Sequence, residues 1–402
     1  MARTSDIVDG IFRVDLARRV SESTYHERIK RAEPRHGDIL YSREGTYFGL
    51  AAEVPPDTKV CLGQRMVLLR PDPSQVHPTY LRFWLNSNQM QSHIHGHRDG
   101  SVAERFNLPT IRRLPICIPD LHQQQSIVTI LGALDDKIEL NRRMNETLEA
   151  MARAIFRSWF VDFDPVRAKA EGRETGLPAD VADLFPNSFE ASELGEIPAG
   201  WGCVPLPQIV DVNPPRSLRR AEPAPYLDMA NMPAATHAPT SWSERRFGSG
   251  TRFTNGDTLL ARITPCLENG KTAWVDFLGE GQVGWGSTEY IVLRPKPPIP
   301  TVFGYCLARS AEFREFAIQS MTGSSGRQRV PVDALRQYLL AAPPEPIARR
   351  FGEIVELVLA RVSSAVSESR TLAAIRDTLL PKLLSGEIRV GEAERLMVRT
   401  GV

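Results

Sequence analysis

Two loops carry residues able to grip a phosphate backbone and reach base edges. Arg98-Asp99-Gly100-Ser101-Val102-Ala103-Glu104-Arg105 and Gly323-Ser324-Ser325-Gly326-Arg327-Gln328-Arg329 interleave guanidinium and amide groups with small hydroxyl residues. Arginine offers a planar fork that matches phosphate or a guanine edge, and small residues let a chain approach closely. The candidate contacts are Arg98, Ser101 and Arg105 in the first loop, and Ser324, Arg327, Gln328 and Arg329 in the second. Either loop alone is equally an ordinary Gly-Ser-Arg surface turn. Their equivalent places in a repeated frame favour nucleic acid.

Other candidate chemistry is weaker. His93, His95 and His97 alternate over five residues, but no acidic or cysteine partner stands at a regular metal-ligand spacing, so a polar loop beside Arg98 is the favoured reading. Asn213-Pro214-Pro215-Arg216 shares three residues with the N-P-P-aromatic loop by which amino-methyltransferases hold a flipped base. Here arginine replaces the aromatic, and no Gly-rich strand–turn–helix precedes it to hold a methyl donor. The favoured reading is a proline turn. There is no G-x-x-x-x-G-K-[ST] phosphate loop and no paired-carboxylate-plus-lysine nuclease pattern. The chain reads as non-catalytic.

The elements that position the two loops occur twice. Gly37-Asp38-Ile39-Leu40 returns as Gly256-Asp257-Thr258-Leu259, followed three residues later by Arg43 and Arg262. Leu69-Arg70-Pro71 returns as Leu293-Arg294-Pro295, Pro78-Thr79 as Pro300-Thr301, and Leu108-Pro109 as Val330-Pro331. The offset is about 220 residues throughout. Internal repetition decides architecture before any local reading does, and it predicts two similar, non-identical bodies related by pseudo-symmetry. Short β-type runs stand at residues 65–69, 114–118, 258–263, 272–277 and 289–293. Helices are expected at residues 78–93 and 301–322.

Each copy then runs into a long helical pattern. Ile127, Leu131, Leu134, Ile138, Asn141, Asn145, Leu148, Ala152, Ile155 and Trp159 keep 4-3 spacing, with a polar gap at the two asparagines. Ile347, Phe351, Ile354, Val358, Arg361, Ala365, Glu368, Leu372, Ile375 and Leu379 repeat it, again with a polar middle. Each helix would be about 55–60 Å long at 1.5 Å per residue. A lone helix with a narrow apolar stripe does not stay folded, so each needs a partner. Pseudo-twofold symmetry makes the other copy that partner and requires the two to run antiparallel, with the polar middles meeting. The rival arrangement packs each helix on its own body. The fold class expected is α+β: two pseudo-symmetric α/β bodies separated by a long antiparallel two-helix coiled coil.

Composition bounds the rest. A chain of 402 residues exceeds one ordinary domain. At 42% apolar and 24% charged residues it is globular in type, and no apolar run reaches the 18 residues of a membrane span. Five cysteines stand singly, without the C-x-x-C spacing of a zinc cage, as in a reduced cytoplasmic protein. Residues 1–119 carry 17 Lys+Arg against 13 Asp+Glu, and residues 200–340 carry 15 against 12, whereas residues 161–199 carry 3 against 9. The bodies are mildly basic and their connection is acidic.

Several segments together resemble one known family. Pro119-Asp120-Leu121-His122-Gln123-Gln124-Gln125-Ser126-Ile127-Val128, continuing through Leu134-Asp135-Asp136-Lys137-Ile138-Glu139-Leu140-Asn141, is similar to the first conserved region of type I restriction–modification specificity subunits. So are Ser158-Trp159-Phe160-Val161-Asp162-Phe163-Asp164-Pro165-Val166 and Leu379-Leu380-Pro381-Lys382-Leu383-Leu384-Ser385-Gly386-Glu387-Ile388. Ile197-Pro198-Ala199-Gly200-Trp201 resembles the opening of a second target-recognition domain. The resemblance implies two target-recognition domains that read the halves of a bipartite, asymmetric site in double-stranded DNA, and helices that set the spacer and dock two methyltransferase subunits, with restriction/translocase subunits joining them. It implies no cofactor on this chain, S-adenosylmethionine, ATP and Mg belonging to the partners, and a cytoplasmic place without membrane contact. The corresponding organisation is a first recognition domain at 1–119, a first helix at 120–162, a linker at 163–199, a second recognition domain at 200–343, a second helix at 344–386 and a tail at 387–402. The first domain lacks a Gly-Trp opening and has 36 residues before Gly37-Asp38, against about 55 between Gly200-Trp201 and Gly256, so it is expected to be shortened or to start upstream. The competing class is a coiled-coil scaffold that gathers protein partners without reading DNA.

Overall fold

Gly, Pro and Asp punctuation cuts most of the chain into short strands, and only two apolar periodicities run long enough for extended helices. The computed structural model describes residues 1–45, 48–96, 107–324, 326–389, 391–393 and 395, the side chains of 95–96 excepted. The chain divides into two units, Met1–Ile138 with Thr371–Val402, and Glu139–Arg370.

The first unit carries a five-stranded sheet of β1 (Ile7–Val8), β2 (Ile11–Phe12), β3 (Ile39–Ser42), β4 (Ala51–Glu53) and β5 (Met66–Leu69), in the order β1-β2-β4-β3-β5. Helix α1 (Glu22–Ile29) precedes β3, and α2 (Pro78–Asn86), α3 (Asn88–Gly96) and α4 (Leu108–Ile111) follow β5. Helix α5 (Leu121–Phe160) begins in this unit and ends in the other. The second unit continues with α6 (Asp164–Ala170), α7 (Ala179–Ala182), the hairpin β6 (Phe189–Ser192) and β7 (Gly195–Pro198), and β8 (Gly202–Pro205). Strands β9 (Val210–Val212), β10 (Pro223–Leu227), β11 (Ser243–Arg246), β12 (Thr251–Phe253), β13 (Thr258–Ala261), β14 (Thr272–Trp274), β15 (Gly284–Gly286) and β16 (Tyr290–Pro295) form two sheets, β14-β13-β16-β9 and β11-β10-β15-β12. Then come α8 (Thr301–Arg309), α9 (Ala311–Gln319), α10 (Val332–Leu335), β17 (Leu339–Ala342), which pairs with β8, and α11 (Glu345–Ser385), which ends in the first unit.

The repeated dipeptides mark one framework in both units. Strand β3 pairs antiparallel with β5 at Ile39↔Leu69, and β13 pairs antiparallel with β16 at Thr258↔Leu293. Both central strands are buried along their whole length. The single helices expected at residues 78–93 and 301–322 are each two helices, broken at Ser87 and at Ser310. Each serine adopts an extended backbone. Its oxygen then accepts the N–H of the residue three on, Met90 at 3.2 Å and Phe313 at 3.3 Å. That cap satisfies a donor the new helix would leave orphaned.

Two other expectations change. Residues 114–118 form no strand; Trp84 Nε1 and Tyr80 Oη donate to the carbonyls of Pro115 and Cys117 instead. The equivalent residues of the second copy do pair, as β17, because β8 lies alongside them. A strand needs a neighbour, which propensity alone does not supply. The stretch 163–199 is folded rather than a plain connection. It holds α6, α7 and the β6–β7 hairpin, and it buries Phe163, Val166, Val181, Phe185 and Ile197 in the second unit's core.

The long helices meet within each unit. In the first, Ile127, Leu131 and Leu134 of α5 share a core with Leu372, Leu379, Leu383 and Leu384 of α11, and Ile138 and Ile375 pack at its margin. In the second, Trp159 and Phe156 share a core with Ile347 and Phe351, the Phe156 and Phe351 rings 5.9 Å apart. Asn141 reaches Glu368 and Ser369, Met144 lies by Arg361 and Phe156 by Phe351, so one number rises as the other falls and the segments run antiparallel. Leu148, Ile155, Ile354 and Val358 are only partly buried. The fully buried stripe there runs through Glu149, Ala152 and Phe156, and through Val355, Leu359, Val362 and Ala365. Each segment serves its own body as well as the other helix, and a 3.6-residue turn drifts against a strict heptad, so the stripe widens and shifts.

The polar middle is real but selective. Asn141 Nδ2 donates to Glu368 Oε2 at 2.8 Å, whereas Arg361 is exposed. The Oδ1 atoms of Asn141 and Asn145 are buried without a hydrogen-bond partner among the described residues. A buried polar pair of this kind costs stability and fixes alignment. Replacing both, Asn141→Leu with Asn145→Leu, should raise the midpoint of thermal unfolding by a few degrees, on the order of 1 kcal/mol, and broaden the elution profile in size-exclusion chromatography. A lowered midpoint would contradict this account.

Candidate nucleic-acid interface

The repeated Gly-Asp and Leu-Arg-Pro segments turn out to be a clasp. Asp38 accepts the backbone N–H of Arg35 at 2.8 Å and the Arg70 guanidinium at 2.7 and 2.8 Å. Asp257 accepts the backbone N–H of Thr254 at 2.8 Å and the Arg294 guanidinium at 3.2 Å. Burial pushes the Asp38 carboxyl up, but the Arg70 and Arg35 hydrogen bonds outweigh it and hold it below its ordinary value. Asp257 takes a further partner, Arg216, at 2.8 Å. Asn213 accepts the N–H of Val292 through Oδ1 at 2.8 Å, prolonging the β9–β16 ladder. The Asn-Pro-Pro-Arg segment is therefore committed to holding the sheet.

The second candidate loop stands on this frame. Thr322 and Arg329 exchange backbone hydrogen bonds of 3.0 and 2.9 Å, and Thr264 N–H donates to Gln328 O at 3.0 Å. Val330 N–H donates to the carbonyl of Arg262, five residues after the repeated Gly256-Asp257. The loop is thus a pinned stem with a projecting tip. Gly323 and Gly326 have φ of 120° and 80°, where a Cβ is strained, so the turn requires glycine. Ser324 and Arg327 are exposed, Gln328 is partly buried, and Arg327 makes no ion pair among the described residues. Arg329 differs from expectation. Its Nε and Nη2 hold Glu289 at 2.7–3.0 Å, and Arg262 stands 3.9 Å from the same carboxylate. The Arg329 hydrogen bonds, against a smaller cost of burial, keep Glu289 below its ordinary value. Arg98, Ser101 and Arg105 lie outside the described residues, as does Ser325. The His93 run likewise passes beyond them, and no group of acidic, histidine or cysteine residues among those described can hold a metal ion.

What fixes each body to the helices was not visible in the apolar spacing. In the first unit Asp135 of α5 is buried between Arg82 of α2 and Arg376 of α11, both at 2.9 Å. In the second, Glu149 of α5 is fully buried. It accepts the Tyr305 hydroxyl at 2.7 Å, the His237 backbone N–H at 2.6 Å and His237 Nδ1 at 2.9 Å. His237 Nε2 reaches Ser363 Oγ of α11 at 2.8 Å and Asp276 at 3.4 Å, and Ser363 in turn donates to Asp276. With Ser363 donating onward, both ring nitrogens act as donors, which is an imidazolium between two carboxylates. Burial pulls the His237 value down, but Asp276 and Glu149 outweigh it and raise it above 6.5. Burial pushes Glu149 up, but His237 and Tyr305 outweigh that and lower it below 4.5. Burial also lifts the Tyr305 phenol well above its ordinary value, so it stays a donor.

The comparisons with known proteins agree on one group. Residues 17–150 match the family described as the type I restriction modification DNA specificity domain. The chain is 27% identical to the type I restriction enzyme HindI specificity subunit of Haemophilus influenzae, over 88% of this chain and 87% of that protein. It is 25% identical to the type I restriction enzyme MjaIX specificity subunit of Methanocaldococcus jannaschii, over 93% and 83%. A crystal structure of a type I restriction–modification S subunit from M. genitalium superimposes with a TM-score of 0.47 at 16% identity, covering 87% of this chain and 83% of that one.

The His237 network sets a pH dependence. A histidine raised on folding contributes stability that is whole below about 6.5 and is lost as pH rises through its folded value; a glutamate lowered on folding contributes stability that is whole above about 4.5 and is lost as pH falls. Stability of the second unit should therefore peak between these limits and decline on both sides. His237→Ala strips a partner from a buried charge, costs about 3 kcal/mol and flattens the alkaline limb of that profile. Denaturant unfolding across pH 4–9, followed by near-ultraviolet dichroism, reads both effects. An unchanged alkaline limb in the variant would assign the dependence to other groups.

Proposed function

The chain belongs to the type I restriction–modification specificity subunits, and from that premise we propose that it reads a bipartite, asymmetric site in double-stranded DNA, one recognition body to each half. The observation that carries this reading is a framework used twice with different edges. The clasp, the capping serine and the strand register recur in both units, and each body is locked to segments of the same two helices. A protein that only gathers partners has no need of two such bodies with unlike loops.

Direct readout falls to the second loop, with Arg327 at its tip, the Gln328 side chain at its neck and Ser324 against phosphate. Arg329 acts from its ion pair with Glu289 and orients the stem. The equivalent contacts of the first body are Arg98, Ser101 and Arg105. A bidentate arginine contact to a base contributes ~1–3 kcal/mol of discrimination. The chain itself is non-catalytic in this reading. Methyl transfer, ATP hydrolysis and cleavage belong to two methyltransferase subunits and to restriction/translocase subunits, which carry S-adenosylmethionine, ATP and Mg. No helix among the described residues is long and apolar enough to cross a membrane.

Reconstituted with its methyltransferase, the chain should direct methylation to a gapped, two-part sequence. Arg327→Ala should relax one half of that sequence by about 10–100-fold and leave the other half as it was, in a methylation assay on a randomised duplex library. Equal loss at both halves would sink the assignment of one body to one half.

A further inference from the structure

The small sheet of the second unit presents a face that the loop does not include. Across it, register pairs Ser243 with Tyr226, Tyr226 with Trp285, and Trp285 with Arg252, so these side chains share one face. The opposite face sends Leu227 and Phe253 into the core. On the outward face two guanidiniums flank a run of three rings. Arg245 lies 4.2 Å over the Tyr226 ring, and Tyr226 lies 4.4 Å from Trp285. Phe247 meets Trp285 edge-on at 5.4 Å, and Arg252 lies 5.7 Å from Phe247.

A guanidinium stacked on a ring keeps its edge donors in plane and free to meet an anion. Arg245 is exposed and Arg252 partly so. Arg246, on the edge strand β11, donates to Ala221 O at 3.2 Å, which brings the exposed Arg219 and Arg220 beside that strand. The acidic residues in these same segments are Glu222 and Glu244, against five arginines. An all-exposed edge strand rimmed by arginine is polyanion chemistry. Trp285 is covered by its neighbours, so the most exposed groups of this face are the guanidiniums rather than its largest ring.

We propose that this face is a second contact surface on the second unit, gripping the phosphate backbone of double-stranded DNA and setting its orientation while the loop at residues 323–329 meets the bases. The proposal rests on the reading of the chain as a DNA-specificity subunit. Its chemistry is sequence-independent, so it positions and does not specify.

The test uses the full chain assembled with its methyltransferase, and two duplexes, one bearing the target and one with both halves scrambled. Binding is titrated from 50 to 200 mM salt. Arg245→Ala with Arg252→Ala should weaken both duplexes about equally, by about 150-fold at the lower salt and about tenfold at the higher, and so make the logarithmic salt slope shallower by about 2. Arg219→Ala with Arg220→Ala, on an exposed loop that carries no core, should also make it shallower. Arg245→Lys with Arg252→Lys should restore the slope, since lysine keeps the charge. Folded variants that bind with the parental affinity and slope overturn the proposal and leave the reading of function standing. A parent complex with no preference for the target over the scrambled duplex overturns that reading, and this proposal with it.

Discussion

A carboxylate taken out of water must be given partners, and that constraint governs how each body is fitted to its helix segments. Apolar burial is non-directional; it brings surfaces together without choosing an angle. Asp135 and Glu149 choose it. Each projects from α5 to a buried position where α11 and the adjoining body must both supply a donor or a relay, Arg376 and Arg82 in one unit, Ser363, His237 and Tyr305 in the other. A slip along the helix would strand a charge, which costs several kcal/mol. Asn141 against Glu368 adds a third polar level on the same helix.

With the attachment fixed, the framework is free to be the same in both copies while the edges differ. The Asp–Arg clasp ties the turn before the central strand to the end of its neighbour, and it does so at Asp38 with Arg70 and at Asp257 with Arg294. The serine break sets a second helix at an angle to the first in each unit. What hangs from this frame is where the units part: the second has the additional β11-β10-β15-β12 sheet with its arginine-bearing face. The shared frame is held by buried ion pairs and caps, and the two units differ in what that frame leaves exposed.

The sequence disclosed the architecture wherever the signal was local and periodic. Recurrent dipeptides gave the two bodies, and 4-3 spacing gave both long helices and, through symmetry, their antiparallel sense. It failed where a residue's role depends on something distant. Ser87 and Ser310 stand in runs that read as continuous helix, and only the backbone shows each capping its successor. Residues 114–118 and 339–342 have similar β propensity, yet only the latter have β8 to pair with. The candidate site divides the same way. Arg327 at an exposed tip was legible from composition. The pairing of Arg329 with Glu289, 40 positions earlier, was not. Nor was the ladder from Arg245 to Arg252, which draws its rings from different strands and follows no spacing. Asp135 and Glu149 did leave a trace, as acids set one residue beside predicted seam positions.

The stem below the second loop has an evolutionary consequence. Thr322 and Arg329 close it through main-chain groups, and Gln328 and Val330 hold it to the neighbouring segment in the same way, with the Arg329 side chain adding a brace to Glu289. Main-chain bonds are indifferent to which side chains stand above them. With Gly323 and Gly326 kept for the turn, the exposed positions Ser324 and Arg327 can therefore be respelled while the clasp, the caps and the helix seam beneath stay untouched.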